Sequence, residues 1–199
     1  DVGKLNEEQQ KFLYKGYQSN ERIIDLVNDM LNVSRIEEGR FGYSFNKEDF
    51  LKVIDGAIAS IDGLIREKNI KLMINKPKKL QSIYIDKQKM GLVMQNLLEN
   101  AVKYTPEFGK IEISMETGDE LIKVRVKDNG VGIPEKDKAK LFSKFFRAEN
   151  VIRMQTEGSG LGLFIVKNII KRHGGEIMVE SEEGKGTEFV FTLPLKHSV

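Results

Sequence analysis

The sequence contains no cysteine. Disulfides and thiolate metal sites are excluded, and a reducing compartment is permitted. No apolar run approaches the roughly 20 residues that span a bilayer, and nothing at the start resembles a signal peptide. This segment is therefore expected to make no membrane contact. There is no surplus of one charge either. The 32 basic and 30 acidic residues are well mixed and leave a net charge of +2, which gives no case for a nucleic-acid partner. Histidine is scarce, with only His173 and His197. What is present is ordinary globular composition: 40% apolar and 31% charged over 199 residues, enough for one good core and a smaller appendage. The first residue is Asp1, so a fragment of a longer chain is expected.

Apolar spacing organises the chain. Leu5, Phe12, Leu13, Ile23, Ile24, Val27, Met30, Leu31 and Ile36 predict a long amphipathic helix closing near Gly39. Such a stripe needs a partner helix. Phe50, Val53, Ile54, Ala57, Ile58, Ile61, Leu64 and Ile65 predict a second helix, with Asn46 as its expected N-cap. Short strands are expected at 70–74 and 83–85, and Asp86 is placed to cap a third helix. Ile111, Ile113 and Met115, then Ile122, Val124 and Val126, alternate with period two around Gly118-Asp119, which signals a hairpin. A helix over 160–172 should end at Gly174-Gly175, before a last strand pair carrying Ile177/Val179 and Phe189/Phe191. One-faced strands with several amphipathic helices imply an α+β fold, a two-layer α/β sandwich. Residues 147–157 have little periodicity and are expected to form a mobile loop.

Three segments carry chemistry. In QNLLENAVKYT, residues 95–105, Asn96, Asn100 and Lys103 recur at i, i+4 and i+7 and share one helix face. Met90, Val93, Met94, Leu97, Leu98 and Ala101 fall on another. A carboxamide oxygen is a neutral hard ligand for Mg²⁺, and a lysine is a point charge for phosphate. A solvated polar face would show the same pattern. DNGVGIP, residues 128–134, follows a predicted strand. Its glycines let backbone approach a flat ring or a phosphate, although Asp-Asn-Gly is also a common turn. EGSGLGL, residues 157–163, opens an apolar helix, where free N–H groups and the helix dipole favour an anion. All three in this order are much harder to obtain by chance than any one of them.

In these residues the chain resembles the sensor histidine kinases. Residues 96–104, 128–132, 142–146 and 158–163 look like that family's N, G1, F and G2 boxes, and the likeness spans about 47–195. It implies a Bergerat-type ATP-binding domain of the superfamily shared with gyrase, mismatch-repair ATPases and the heat-shock chaperone ATPase. No Gly-x-x-x-x-Gly-Lys-[Ser/Thr] phosphate loop occurs, so nucleotide would be held without one. The implied organisation is 1–40 as the second helix of a dimerisation and phosphoacceptor hairpin, 41–47 as linker and 48–199 as catalytic domain. The SRIEEG ending of the first helix is typical of that family. ATP and Mg²⁺ are the implied ligands. A response-regulator receiver domain and, in the intact protein, a second copy of the chain are the implied partners. The implied location is cytoplasmic, with any membrane anchor in segments outside this one.

The resemblance also implies residue roles. Asp128 would recognise adenine, because a carboxylate accepts from its exocyclic amine and would repel the acceptor guanine has there. Gly130, Gly132 and Ile133 would bring backbone to the base, with Thr187 nearby. Asn100 would ligate Mg²⁺, Asn96 would share the nucleotide face, Lys103 would meet a phosphate and Tyr104 would border the nucleotide. Gly158, Ser159, Gly160, Leu161, Gly162 and Leu163 would line the phosphates. Arg147 and Arg153 are candidates for the γ-phosphate, and Phe142, Phe145 and Phe146 for packing a lid hinge. In gyrase-like ATPases the position four before the metal-binding Asn is a Glu base. Here it is Asn96, which cannot accept a proton at neutral pH. A neutral imidazole needs no such base, so transfer to histidine is favoured over hydrolysis. Glu99, at the edge of the polar face, is a second catalytic candidate. The family's acceptor histidine precedes Glu or Asp and an Arg-Thr-Pro run, a context that neither His173 nor His197 has. His173 is expected at a helix end. The chain should thus bind ATP without phosphorylating itself. The alternatives are a self-contained gyrase-type ATPase, disfavoured by Asn96 and SRIEEG, and a nucleotide-sensing scaffold.

Overall fold

The structure, a computed structural model, describes residues 3, 5–154 and 158–196. In chain order the elements are α1 (Glu7–Glu37), β1 (Asn46–Glu48), α2 (Phe50–Glu67), β2 (Lys71–Asn75), β3 (Ile83–Ile85), α3 (Lys87–Tyr104), β4 (Lys110–Thr117), β5 (Leu121–Asp128), α4 (Glu135–Lys138), α5 (Glu149–Arg153), α6 (Gly162–Arg172), β6 (Ile177–Glu182) and β7 (Gly186–Pro194). They fall into two compact units, divided between Phe41 and Gly42.

The first unit is α1. Asn6 and Gln9 close its N-terminus reciprocally: Gln9 N donates to Asn6 Oδ1 at 2.8 Å, and Asn6 N donates to Gln9 Oε1 at 3.0 Å. Gly39, at φ 67°, ends it in the left-handed conformation, with Arg40 N reaching back to Arg35 O. The predicted stripe of Phe12, Leu13, Ile23, Ile24, Val27, Met30 and Leu31 is exposed.

The second unit is a sheet of order β2-β4-β5-β7-β6, with β2 and β4 parallel and the other pairs antiparallel. The α3 helix packs between α2 and α6 and against β5. This is the expected two-layer arrangement of mixed helix and sheet. Its core comes from strand parity. Ile113, Val126, Phe189 and Val179 lie opposite one another across four strands, and Met115, Val124, Phe191 and Ile177 form the next row. Burying a large apolar side chain contributes about 1.5–3 kcal/mol, and Phe50, Met90, Met94, Leu97, Leu98 and Phe191 are fully buried.

Two boundaries differ from the predicted ones. Asn46 does not cap α2, because it pairs with Ile85 where β1 meets β3. Asp49 caps instead, accepting from Leu51 N at 3.0 Å. The last helix starts at Gly162 rather than Gly160, because Gly160 at φ 71° cannot continue a right-handed helix. Within the segment read as an aperiodic loop, residues 149–153 form α5, with Val151 buried, and residues 155–157 lie outside the described ones.

Candidate functional site

The sheet face that builds the core turns polar at one end. Ile111, Asp128, Thr187 and Ser181 form the row beyond Ile113, Val126, Phe189 and Val179. Asp128 is the fourth inward residue of β5, after Ile122, Val124 and Val126, so alternation alone drives its carboxylate inside. It is 8% exposed. Its Oδ1 accepts from Gly130 N at 2.8 Å and Thr187 N at 3.2 Å, and Oδ2 stands outside both bonds. Burial pushes the carboxyl up to about 6, against which those two backbone donors pull. Next to it, Ser181 Oγ donates to Gly186 O at 2.7 Å and accepts from Ile133 N at 2.9 Å. With its only proton committed, the 3.0 Å contact to Thr187 Oγ1 must be donated by Thr187.

The backbone after Asp128 is drawn in closely. A Cβ on Gly130 would collide with Tyr104 O at the end of α3, and Val131 N donates to that same oxygen at 3.3 Å. Gly132 lies at φ 64°, its carbonyl receiving Asn150 Nδ2 of α5 at 2.8 Å. The loop carrying Ile133 is thus pinned by α3, β6 and α5 together.

The polar face of α3 meets the second glycine segment. Asp86 caps the helix, accepting from Lys89 N at 3.0 Å. Asn96, Asn100 and Lys103 are half-buried on the face away from Met90, Met94 and Leu98. A Cβ on Gly162 would strike Asn96 Oδ1, and one on Gly158 would lie 2.9 Å from Lys103 Nζ. Lys103 Nζ also stands 5.2 Å from the centre of the Tyr104 ring. Leu161 is buried, and its N–H donates to Ser159 Oγ at 3.2 Å. Leu163 is half-buried one residue into α6. Gly160 abuts the backbone of Phe145 and Phe146, and Phe145 itself lies at φ 60° with its ring exposed. Glu99 is exposed and accepts from Gln95 Nε2 at 2.7 Å. Arg147 is half-buried before α5, whereas Arg153 is exposed and pairs with Glu149 on its own helix.

The profile of the family described as histidine kinase-, DNA gyrase B- and HSP90-like ATPases matches residues 85–197. The chain belongs to this ATPase family. It is 37% identical over 190 residues to the sensor histidine kinase WalK of Bacillus subtilis, a match covering 94% of this chain and 31% of the relative. It is 32% identical over 195 residues to the circadian input-output histidine kinase CikA of Synechococcus elongatus, covering 96% and 26%. The chain thus spans about a third or less of these relatives. Among solved structures it superposes on full-length ShkA in complex with AMPPNP with a TM-score of 0.81 and 26% identity, over 99% of this chain and 41% of that one. It superposes on histidine kinase ThkA in complex with response regulator protein TrrA with a TM-score of 0.76 and 27% identity, over 97% and 53%. This chain corresponds to the ATP-binding catalytic part of such kinases.

For a member of this ATPase family the donor set is informative. The described residues hold no cluster of three or more His, Cys, Asp or Glu. A metal here would rely on few protein ligands, which suits Mg²⁺ taking phosphate oxygens and water. The Asn96 amide is committed to Leu92 O at 2.9 Å. That bond uses Asn96 Nδ2 alone, and Asn100, one turn on, places a second carboxamide on the same half-buried face. His173 caps α6, is 2% exposed and uses both ring nitrogens: Nε2 accepts from Asp86 N at 3.0 Å, and Nδ1 lies 2.8 Å from Ile169 O. The ring is therefore neutral with its proton on Nδ1. His197 lies outside the described residues. Sequence reasoning missed Ser181 and Asn150, because a strand serine and a helix asparagine carry no local signal for partners 48 and 18 residues away.

Proposed function

We propose that this chain is the phosphoryl-donating part of a sensor histidine kinase, which passes the ATP γ-phosphate to a histidine and onward to a response-regulator aspartate. The carrying observation is convergence on α3: its polar face meets Gly158 and Gly162, while its C-terminal carbonyl meets Gly130 and Val131. Asp128 Oδ2 reads the adenine amine, with Gly132, Ile133 and Thr187 shaping that end. Lys103 and the backbone of residues 158–163 hold the phosphates, Tyr104 borders them, and Arg147 approaches the γ-phosphate from the side of α5. Asn100 holds Mg²⁺, which when bound offsets phosphate charge. A neutral imidazole nitrogen attacks Pγ as the bond from Pγ to the ADP bridging oxygen breaks. Asn96 cannot take a proton from water, so hydrolysis is not assisted.

Residues 1–40 are the second helix of the dimerisation hairpin, 41–47 the linker and 48–199 the catalytic domain. The intact protein works as a homodimer on a receiver domain in the cytoplasm. Among the described residues no helix is long and apolar enough to cross a membrane. The acceptor is a helix carrying histidine in the family context. His173, enclosed and doubly bonded, is unsuited to that role.

Calorimetry with ATP and Mg²⁺ tests the binding half: Asn100→Ala should remove nearly all of the metal-dependent affinity, and equal affinities would sink the metal assignment. Labelled ATP tests the transfer half. The chain alone should show no acid-labile label and slow turnover, and a supplied acceptor-helix fragment should become labelled. Acid-labile label on His173 or His197 of the chain alone would overturn this reading, and fast hydrolysis would do so too and move the protein towards the gyrase-like class.

A further inference from the structure

The last turn of a helix leaves four carbonyls without partners. In α3 that turn carries Lys103 and Tyr104, and every one of its carbonyls is accounted for. Ala101 O accepts from Thr105 N at 3.1 Å, and Tyr104 O from Val131 N at 3.3 Å. The remaining two, Val102 O and Lys103 O, accept from one ammonium, Lys68 Nζ, at 2.8 and 3.1 Å. Its third bond goes to Thr105 O at 3.0 Å. An ammonium has three protons, and all three are spent on the end of α3.

The position of Lys68 is itself fixed. It is the C-cap of α2, followed by Asn69 at φ 53°. Ile70 N reaches back to Ile65 O at 3.0 Å, so the helix ends in a defined left-handed stop. Phe108 N donates to Lys68 O at 2.9 Å, and Lys71 N to Gly109 O at 2.8 Å. The loop leaving α3 is therefore wrapped on the same residue that caps it. Its charge also opposes the negative end of the α3 dipole.

We infer that Lys68 is a positioning residue of the nucleotide site: it holds the last turn of α3 so that Lys103 faces Gly158 and Tyr104 O backs the loop at Gly130. It touches no ligand and acts through Lys103 and Tyr104. This rests on the nucleotide site proposed above. Without the ammonium, three carbonyls lose their donors and the turn carrying Lys103 loosens, which weakens the hold on phosphate.

The test is a double-mutant cycle on the 199-residue chain, reading dissociation constants for ATP and for adenosine with the unfolding midpoint as a control. Lys103→Met should weaken ATP at least tenfold. Lys68→Met should weaken ATP about tenfold and adenosine by less. The pair should cost little more than Lys103→Met alone, since one effect runs through the other. Lys68→Cys provides a rescue: as the chain has no other cysteine, alkylation with 2-bromoethylamine rebuilds a lysine-like amine at that position only and should restore affinity. If Lys68→Met does not fold, Lys68→Cys alkylated while unfolded and then refolded decides the matter. Full affinity after alkylation supports the role, and folding without affinity overturns it. Additive losses, or equal losses for ATP and adenosine, would reduce Lys68 to a general stabiliser. No effect of Lys103→Met on ATP would overturn the nucleotide-site reading itself, and the inference with it.

Discussion

Two neighbouring rows of one sheet face do opposite work. Ile113, Val126, Phe189 and Val179 bury hydrocarbon, whereas Ile111, Asp128, Thr187 and Ser181, one pleat further along, bury a carboxylate and two hydroxyls. The strands, the parity and the register are the same in both. What changes is the hydrogen bonding. The first row is apolar throughout, whereas in the second Gly130 N, from the loop after β5, and Thr187 N, from β7, are brought to the carboxylate. The fold thus forms a polar end by continuing its core pattern one step past the last all-apolar row.

The most severe way to break this comparison is to move the carboxylate back one step. Val126→Asp would bury a charge in a row without the Gly130 and Thr187 amides. A loss of about 4 kcal/mol or more is expected, read as a lower urea midpoint. Near-normal stability would mean that the two rows differ less in environment than their bonding indicates.

The second test separates function from stability within the polar row. Asp128→Ala should weaken ATP by one to two decades, as expected for a charge-assisted bond of about 1.5–3 kcal/mol. Discrimination between ADP and GDP should vanish with it. Asp128→Asn keeps an acceptor for both amides but removes the buried charge. The carboxyl's displacement from 3.8 to about 6 corresponds to roughly 3 kcal/mol at most, so the unliganded Asn variant should be more stable than wild type at pH 7.5. A variant that loses both stability and affinity would mark Asp128 as a structural turn residue.

The same displacement sets a pH dependence. Between pH 3.8 and about 6 the native carboxyl binds more protons than the unfolded one. Its contribution to stability is therefore fully present below about 3.8 and is lost as pH rises through about 6. Nucleotide affinity should run the other way, because only the ionised form is a strong acceptor. ATP should bind more tightly at pH 7 than at pH 5, and Asp128→Asn should flatten that rise. An unchanged slope in the variant would assign the titration to another group.

Much of this was legible in the chain because the signals were local. The period-two runs around Gly118-Asp119 specified the β4–β5 hairpin, and the i, i+4, i+7 set specified the polar face of α3. The misplaced cap shows the limit. Asn46 and Asp49 are both good N-caps, and only the pairing of Asn46 with Ile85, 39 residues away, decides between them. Lys68 was invisible for the same reason, since a lysine at the end of α2 looks solvated until α3 brings its carbonyls alongside. Asp128 was legible as a candidate for the nucleotide site. Its burial was not, because parity says which side a residue faces but not what covers that side.

The mildest contrast compares the β6 members of the two rows. Val179→Ala removes methyls from a half-buried apolar position and should cost about 1 kcal/mol of stability with no change in ATP affinity. Ser181→Ala should cost a similar amount, because Ile133 N and the Thr187 hydroxyl both lose their acceptor. Here the loss should also reach the ligand. Ile133 lies in the loop that follows Asp128, and Thr187 donates its backbone N–H to the Asp128 carboxylate, so both would shift at the end of the site proposed for adenine. A threefold to fivefold weaker dissociation constant for ATP is expected, equivalent to about 1 kcal/mol, measurable by competition against a fluorescent nucleotide. If the two alanine variants proved indistinguishable in ATP binding, the polar row would be a buried network that happens to border the site rather than its floor.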